Sequence, residues 1–382
     1  MTDRARGRAL LRWYRAEGRD LPWRRTKDPW SIWVSEVMLQ QTTAAAVAPR
    51  WRRFLERFPT VEAVARAAER EVLAEWAGLG YYTRARNLRR AARIVARTGA
   101  FPRTVAGWRA LPGVGPYTAA AVASIGFGVP AAVVDGNVVR VLARLGALRL
   151  DPKSAAGHRR IRAAAEAMLV SSSPGDSNQA LMELGATVCT PRAPRCEACP
   201  LRDGCLGRRT GRPESFPKSP KRSAPRTVHL AAGLAFRHGR LLLVEESLMA
   251  RGLLGVPVFR VPARRPPAKI LRKEWEDVTG RPVATLDLLG RIRHSVMNRR
   301  YLVDVFRLEE KAPSPSFRGA PAERRRASRP GPPLRVRLLR QRDLPGHAHD
   351  GLTIKVLRLL ASRPIGIGTP GPRRGAPAPR RR

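Results

Sequence analysis

Along residues 1–205 apolar positions recur every three to four residues, the spacing that gathers one stripe on a helix. SIWVSEVMLQQTTAAAVAPRWRRFLERF (31–58), VEAVARAAEREVLAEWAGLG (61–80), with its glycine stop, and YTRARNLRRAARIVARTG (82–99) carry it most clearly. Strand-like alternation is almost absent, so an all-α body is expected over 1–206. Residues 207–227, basic and rich in Pro and Ser, read as an interdomain linker. The period then changes. VHLAAGLAFRHGRLLLVEES (228–247) predicts two strands joined at His238-Gly239, KILRKEWEDVTG (269–280) a helix closed by Gly280, and RYLVDVFRLE (300–309) a further strand. A smaller α+β domain is expected over 228–362. A low-complexity insertion (311–333) interrupts it and a disordered basic tail (363–382) follows it.

Length and charge narrow the picture. The 382 residues suffice for two cores. A net charge of +43 points to a polyanionic partner. Arg, Ala, Pro and Gly abound together, as GC-rich coding also produces, so charge alone indicates only DNA, RNA or acidic lipid. The most apolar stretch, 119–134, is broken by Gly126, Gly128 and Pro130 and is too short to span a bilayer. The first twenty residues read as a basic amphipathic helix and not as a signal peptide. A cytoplasmic protein with no membrane partner is expected.

All four cysteines fall in CTPRAPRCEACPLRDGC (189–205), spaced Cys-x6-Cys-x2-Cys-x5-Cys: Cys189, Cys196, Cys199 and Cys205. A cytosolic chain seldom uses structural disulfides. Four thiolates can enclose one metal centre. Zinc usually takes two separated Cys-x2-Cys pairs. Here a single tight pair has distant ligands on either side, which favours a larger iron–sulfur cluster, with zinc as the alternative.

LPGVGPYTAAAVASIG (111–126) places Gly113 and Gly115 just before a helix. Glycines let the backbone approach an anion, and amides at a helix start are electropositive. A ligand-free turn between helices fits the same residues. Two carboxylates also stand out. Glu36 lies among Trp33, Val34, Val37 and Met38, where poor hydration would keep it protonated as a general acid; most glutamates are instead solvated. Asp135, in AAVVDGNVVRVLARLG, follows an apolar run and opens a helical pattern, so it fits an N-cap. A helix start favours its charged form. Two carboxyls in opposite environments suit acid and counter-charge in glycosidic cleavage.

LPW (21–23), SEVMLQQT (35–42), GLGYY (78–82), LPGVGPYTA (111–119), VDGNVVRV (134–141) and the cysteine loop follow the order seen in the MutY-type adenine DNA glycosylases of the endonuclease III, helix-hairpin-helix superfamily. The chain resembles that family from about residue 10 to 206. The resemblance implies a multidomain protein: an all-α helix-hairpin-helix glycosylase body with a [4Fe-4S] loop, plus a C-terminal α+β Nudix-like domain. It implies a base excision repair hydrolase that acts as a monomer on double-stranded DNA containing A:8-oxoG or A:G mismatches, associated with a bacterial nucleoid. The cluster would stiffen a loop carrying Arg192, Arg195 and Arg202 against phosphate. The hairpin would grip a phosphate through backbone amides, with a monovalent cation.

The resemblance also assigns roles. Glu36 protonates adenine N7, and ionised Asp135 stabilises or traps the C1′ cation with Asn137 orienting it. Bifunctional relatives carry a lysine where Tyr117 stands, and a phenol cannot form an imine. A monofunctional enzyme is therefore expected, with Tyr117 bonded near Asp135. Arg24 and Gln179 line the adenine pocket. Gln41 and Tyr82 fill the gap left by the flipped base, and Thr42 contacts the estranged base. In the second domain (228–345) KEWEDVTG (273–280) resembles a Nudix helix whose upstream acid is replaced by Arg265, so no hydrolase activity is expected there. The lesion-reading loop corresponds to RHSVMNRRY (293–301), which keeps His294 and Ser295, with Asn298, but not the family's Phe-Ser-His. An endonuclease III-like or mismatch-specific glycosylase is the alternative enzyme, disfavoured by Tyr117 and Glu36. An iron–sulfur DNA-binding module is the non-enzymatic alternative; it has no use for Glu36 and Asp135.

Overall fold

The structure is a computed structural model that describes residues 2–149, 151–152, 154–218, 224–246, 251–296, 298–311, 336–346 and 351–362. The insertion expected at 311–333, beyond Lys311, and the tail at 363–382 lie outside them. The chain divides into two compact units, residues 1–223 and 224–382. Among the described residues no helix is long and apolar enough to cross a membrane.

The first unit is helical: α1 (Asp3–Glu17), α2 (Pro29–Leu39), α3 (Ala44–Arg57), α4 (Val61–Arg66), α5 (Glu69–Glu75), α6 (Thr83–Thr98), α7 (Val105–Arg109), α8 (Pro116–Phe127), α9 (Gly136–Leu145), α10 (Ala155–Met168), α11 (Pro174–Thr187) and α12 (Leu206–Arg209). Helix α2 starts where Asp28 accepts from the Trp30 and Ser31 amides and Pro29 fixes the first φ. Trp30 and Ile32–Met38 are all buried, with half-exposed Ser31 between them, so the helix is buried on nearly every side; it is therefore a central helix, packed on α3, α6 and α8. Helix α8 is likewise buried over Thr118–Ile125, and its alanines let α2 and α11 approach closely. A second core joins α1, α9, α10 and α11 through Leu10, Val138, Leu142, Ile161 and Leu184.

The stretch read as a linker from residue 207 is in part packed on this unit. Gly207 lies where a Cβ would meet the Arg144 carbonyl at 2.5 Å. Phe216 is buried, and its carbonyl accepts from Arg144 Nε at 3.2 Å. One aromatic anchor outweighs a polar, proline-rich composition.

The second unit holds β1 (Arg226–Arg237), β2 (Arg240–Glu246), β3 (Arg251–Gly255), β4 (Val258–Arg260), α13 (Pro267–Thr279), β5 (Val283–Val296), β6 (Arg299–Glu310), β7 (Val336–Arg340) and α14 (Gly351–Ala361). The sheet runs β3-β2-β1-β6-β5, with β4 paired to β1 and β7 to β2; β1 and β6 are parallel, with Ala231 opposite Asp304. Period-2 alternation sends Leu230, Ala232 and Leu234 toward α14 and Ala231 and Ala235 toward α13. Gly233 admits Trp275 of α13, whose ring would stand 2.7 Å from a Cβ there. The two expected strands, the helix at 269–280 and the strand at 300–309 are present. Strand β5 and helix α14 were not foreseen. The apolar positions of β5 are diluted by Arg and Asp, and α14 follows a stretch whose turn residues mask its periodicity.

Candidate active site

Each functional side chain in the first unit is placed by a local device. Glu36 sits on buried α2 and is 4% exposed. Tyr117 lies at the second position of α8, after Gly115 and Pro116. Asp135 caps α9: one oxygen accepts from the Val138 amide at 2.7 Å and the other from Asn137 Nδ2 at 2.9 Å. Packing of α2, α8, α9 and α11 turns these into the walls of one cavity of about 350 Å³. Glu36, Tyr117, Asp135 and Asn137 line it together with Arg24, Thr42, Gln179, Met182 and Glu183.

The carboxyl of Glu36 is pushed up to about 7. Burial is the largest cause and the nearby Asp135 adds to it; the Tyr117 hydrogen bond and Arg24 pull the other way. The Tyr117 hydroxyl donates to Glu36 Oε2 at 2.7 Å and also lies 3.4 Å from Met182 Sδ. It was expected beside Asp135; α8 packs on α2, and the Asp135 oxygens are engaged by α9 and Asn137. Burial and the charge of Glu36 raise the Tyr117 hydroxyl well above its usual value, so it stays a donor. Asp135 also departs from the expected charge-favouring environment. Burial lifts its carboxyl above the ordinary aspartate range, although the Val138 and Asn137 amides and Arg140 pull it down. The two carboxyls thus differ in degree of desolvation rather than lying on opposite sides of their usual values.

Sequence reasoning passed over Glu183. It is buried, pairs with Arg19 Nε at 2.6 Å and Arg24 Nη2 at 2.7 Å, and so anchors Arg24 in the cavity wall. Burial opposes its ionisation, but the bonds from Arg19 and Arg24 win and hold the carboxyl down at about 2. Its position four residues after Gln179 on α11 was the available signal, since i and i+4 share a helix face.

The glycine hairpin joins α7 to α8. Gly113 has φ +76°, and a Cβ there would meet Asn87 Cβ at 2.5 Å, so only glycine fits. Gly115 faces open space at the free amides of α8. Gln41 and Thr42 follow α2, Gln41 exposed at φ +56°. Of the two tyrosines, the expectation of a presented Tyr82 is reversed. Tyr82 is 7% exposed and precedes α6 as part of the core; Tyr81 is 36% exposed at φ +47°. Residue type cannot rank adjacent tyrosines; the left-handed turn after Gly80 decides which ring is inside.

The four cysteines are free and half-buried, and line a small cavity of about 30 Å³ with Arg144, Arg195, Arg202 and Arg208. Burial and the neighbouring thiols push Cys199 up to about 12. Arg144 Nη1 reaches Cys189 Sγ at 3.4 Å, and the Arg208 amide donates to Cys205 Sγ at 3.5 Å. Among the described residues no three metal-ligating side chains converge on a point suited to a single ion. The four cysteines share one pocket wall with several arginines, and two of their sulfurs accept from Arg144 and the Arg208 amide, an arrangement that suits sulfur ligands carrying negative charge.

In the second unit residues 293–296 and 299–301 of RHSVMNRRY lie on paired strands. His294 pairs with Tyr301, Ser295 with Arg300 and Val296 with Arg299 across β5 and β6. His294 is half-buried, its ring 6.4 Å from that of Tyr301; Ser295 and Asn298 are exposed. In α13, Glu276 accepts from the Val283 amide at 3.0 Å, and Arg265 sits in the turn before that helix.

Residues 34–211 match the family described as HhH-GPD superfamily base excision DNA repair protein. The chain is similar to the adenine DNA glycosylase of Homo sapiens, 46% identical over 211 residues, covering 52% of this chain and 39% of that protein. It is similar to the adenine DNA glycosylase of Mus musculus, 35% identical over 364 residues, 80% of this chain and 71% of that one. The chain thus spans about two-fifths of the human relative's length. Its fold is similar to the solved structure of a thermostable thymine-DNA glycosylase, with TM-score 0.50, 30% identity, and coverage of 55% of this chain and 97% of that one.

Proposed function

Because the chain belongs to the HhH-GPD superfamily of base excision DNA repair proteins, and within it to the adenine DNA glycosylases, we propose that it is a monofunctional hydrolase that releases adenine mispaired with 8-oxoguanine or guanine in double-stranded DNA. One observation carries the reading: a carboxyl held near neutrality by burial shares a cavity, and a charge interaction, with a second carboxyl fixed at a helix start.

The chemistry follows from those groups. DNA is bent and the adenine is turned out of the stack into the cavity. Protonated Glu36, oriented by the Tyr117 hydroxyl, gives its proton to adenine N7. The C1′–N bond breaks with its electron pair leaving on the base. Asp135, held by Asn137 and the α9 amides, stabilises the cationic sugar. A water adds its oxygen to C1′ and returns a proton to Glu36. Arg24, fixed by Glu183, and Gln179 line the base site. Tyr117 offers no amine for a Schiff base, so the strand stays intact.

Cys189, Cys196, Cys199 and Cys205 would hold a [4Fe-4S] cluster, which supplies rigidity to the Arg192–Arg202 segment rather than a reactive site. Gly113 and Gly115 would hold a DNA phosphate with a monovalent cation. The second unit, read as a Nudix-like module, would face the base opposite adenine with Ser295, Asn298 and His294.

A duplex containing A:8-oxoG separates the readings. Nicking only after alkali is the expected result; nicking without alkali indicates a lyase of the endonuclease III type, and binding without any nicking indicates the non-enzymatic module.

A further inference from the structure

We propose that Arg84 is a positioning residue that locks the Gln41 turn and the Tyr81 turn into one rigid wedge for parting the target base pair, an inference that rests on the glycosylase reading above. Arg84 is half-buried near the start of α6, and no acidic side chain pairs with it among the described residues. Its guanidinium is spent on carbonyls instead. Nη1 donates to the carbonyl oxygens of Val37 (2.7 Å), Met38 (2.9 Å) and Gln40 (2.6 Å). Nη2 donates to those of Leu79 (3.0 Å) and Gly80 (3.2 Å) and to Thr42 Oγ1 (3.3 Å). The cation also lies over the rings of Trp76 and Tyr81, 5.5 and 5.4 Å from their centroids.

Two of those carbonyls matter most. Gln40 C=O and Gly80 C=O belong to the peptides immediately before Gln41 and Tyr81, two non-glycine residues in the left-handed region. Such backbone persists only where its surroundings over-determine it. One planar fork fixes both peptides at once, and the ring of Tyr81 rests on the same cation. Val37 and Met38 add the open carbonyl end of α2, the helix that carries Glu36, where a cation is also favoured by the helix dipole. The wedge and the acid are therefore held in one frame. Lysine cannot replace the fork, because its ammonium is a point donor on a flexible stem.

The test compares the wild-type full chain with Arg84→Lys and Tyr81→Leu. Hydrogen exchange is read at residues 39–42 and 78–82, duplex opening by the fluorescence of 2-aminopurine placed at the target position, and adenine release in single turnover. Arg84→Lys should still melt in one cooperative transition, somewhat below the wild-type temperature, while exchange rises in both turns together. Opening should fall about tenfold, the worth of one lost base-stacking contact. Release should fall as much from A:G duplexes, yet change little when adenine faces an abasic site, where no pair has to be parted. Tyr81→Leu should reproduce the opening loss with unaltered exchange. Loosening of one turn only, or equal loss on paired and abasic substrates, overturns the wedge in favour of a simple cap on α2. If the wild type frees no adenine from any duplex, the glycosylase reading fails, while exchange and opening still decide the wedge.

Discussion

At the scale of single residues, the protonation of Glu36 governs the pH dependence. A carboxyl lifted to about 7 acts as an acid below that pH and is lost as a donor above it. Single-turnover adenine release should therefore decline about tenfold per pH unit on the alkaline side; a flat rate from pH 7 to 9 assigns the proton to another group. Glu36→Gln should slow release by about 10²–10⁴ with DNA affinity kept. Glu183 titrates in the opposite sense. Its folded carboxyl lies at about 2, so its stabilisation is present above the ordinary carboxylate range and vanishes as pH falls toward 2. Glu183→Gln leaves Arg19 and Arg24 without their anion and should cost about 3–5 kcal/mol in urea unfolding. Wild-type stability in that variant shows the pair to be dispensable. Glu36 and Asp135 were legible from their apolar neighbours and helix-start pattern. The Tyr117–Glu36 bond was not, because it joins residues 81 positions apart. Nor was the exposed member of Tyr81 and Tyr82, which a backbone torsion decides.

At the scale of elements, the hairpin between α7 and α8 depends on one glycine. Gly113→Ala must place a methyl against Asn87 and hold φ at +76°, at a cost of about 1–2 kcal/mol for the left-handed backbone. Its DNA binding should weaken equally for matched and mismatched duplexes. The slope of log affinity against log salt should shrink by about 0.9, one phosphate contact. Loss confined to mismatched DNA would place the hairpin at the lesion instead. Helices were the most readable elements, since α2, α3 and α6 carry caps, periodicity or a glycine stop in their own residues. Strand β5 was hidden because it lies at the sheet edge, where charged side chains face solvent and erase the alternation.

At the scale of the whole molecule, the two units carry separate cores, one helical and one built on a mixed sheet. If the second unit reads the opposite base, the full chain should free adenine faster opposite 8-oxoguanine than opposite guanine; equal rates remove lesion reading from the β5–β6 hairpin. The sequence by itself determined the class of each unit, the residues of the four-cysteine loop, of the glycine hairpin and of the two carboxyls, and the change of period that separates the units. These depend on contacts within a few residues, which composition and spacing record. Only the tertiary structure decided that Glu36 bonds Tyr117, that Glu183 holds Arg24, that Asp135 is desolvated as well as capped, and that Phe216 carries the supposed linker onto the helical body. Each of those depends on which helix faces cross, and the dielectric and partners at a crossing belong to no single segment of the chain.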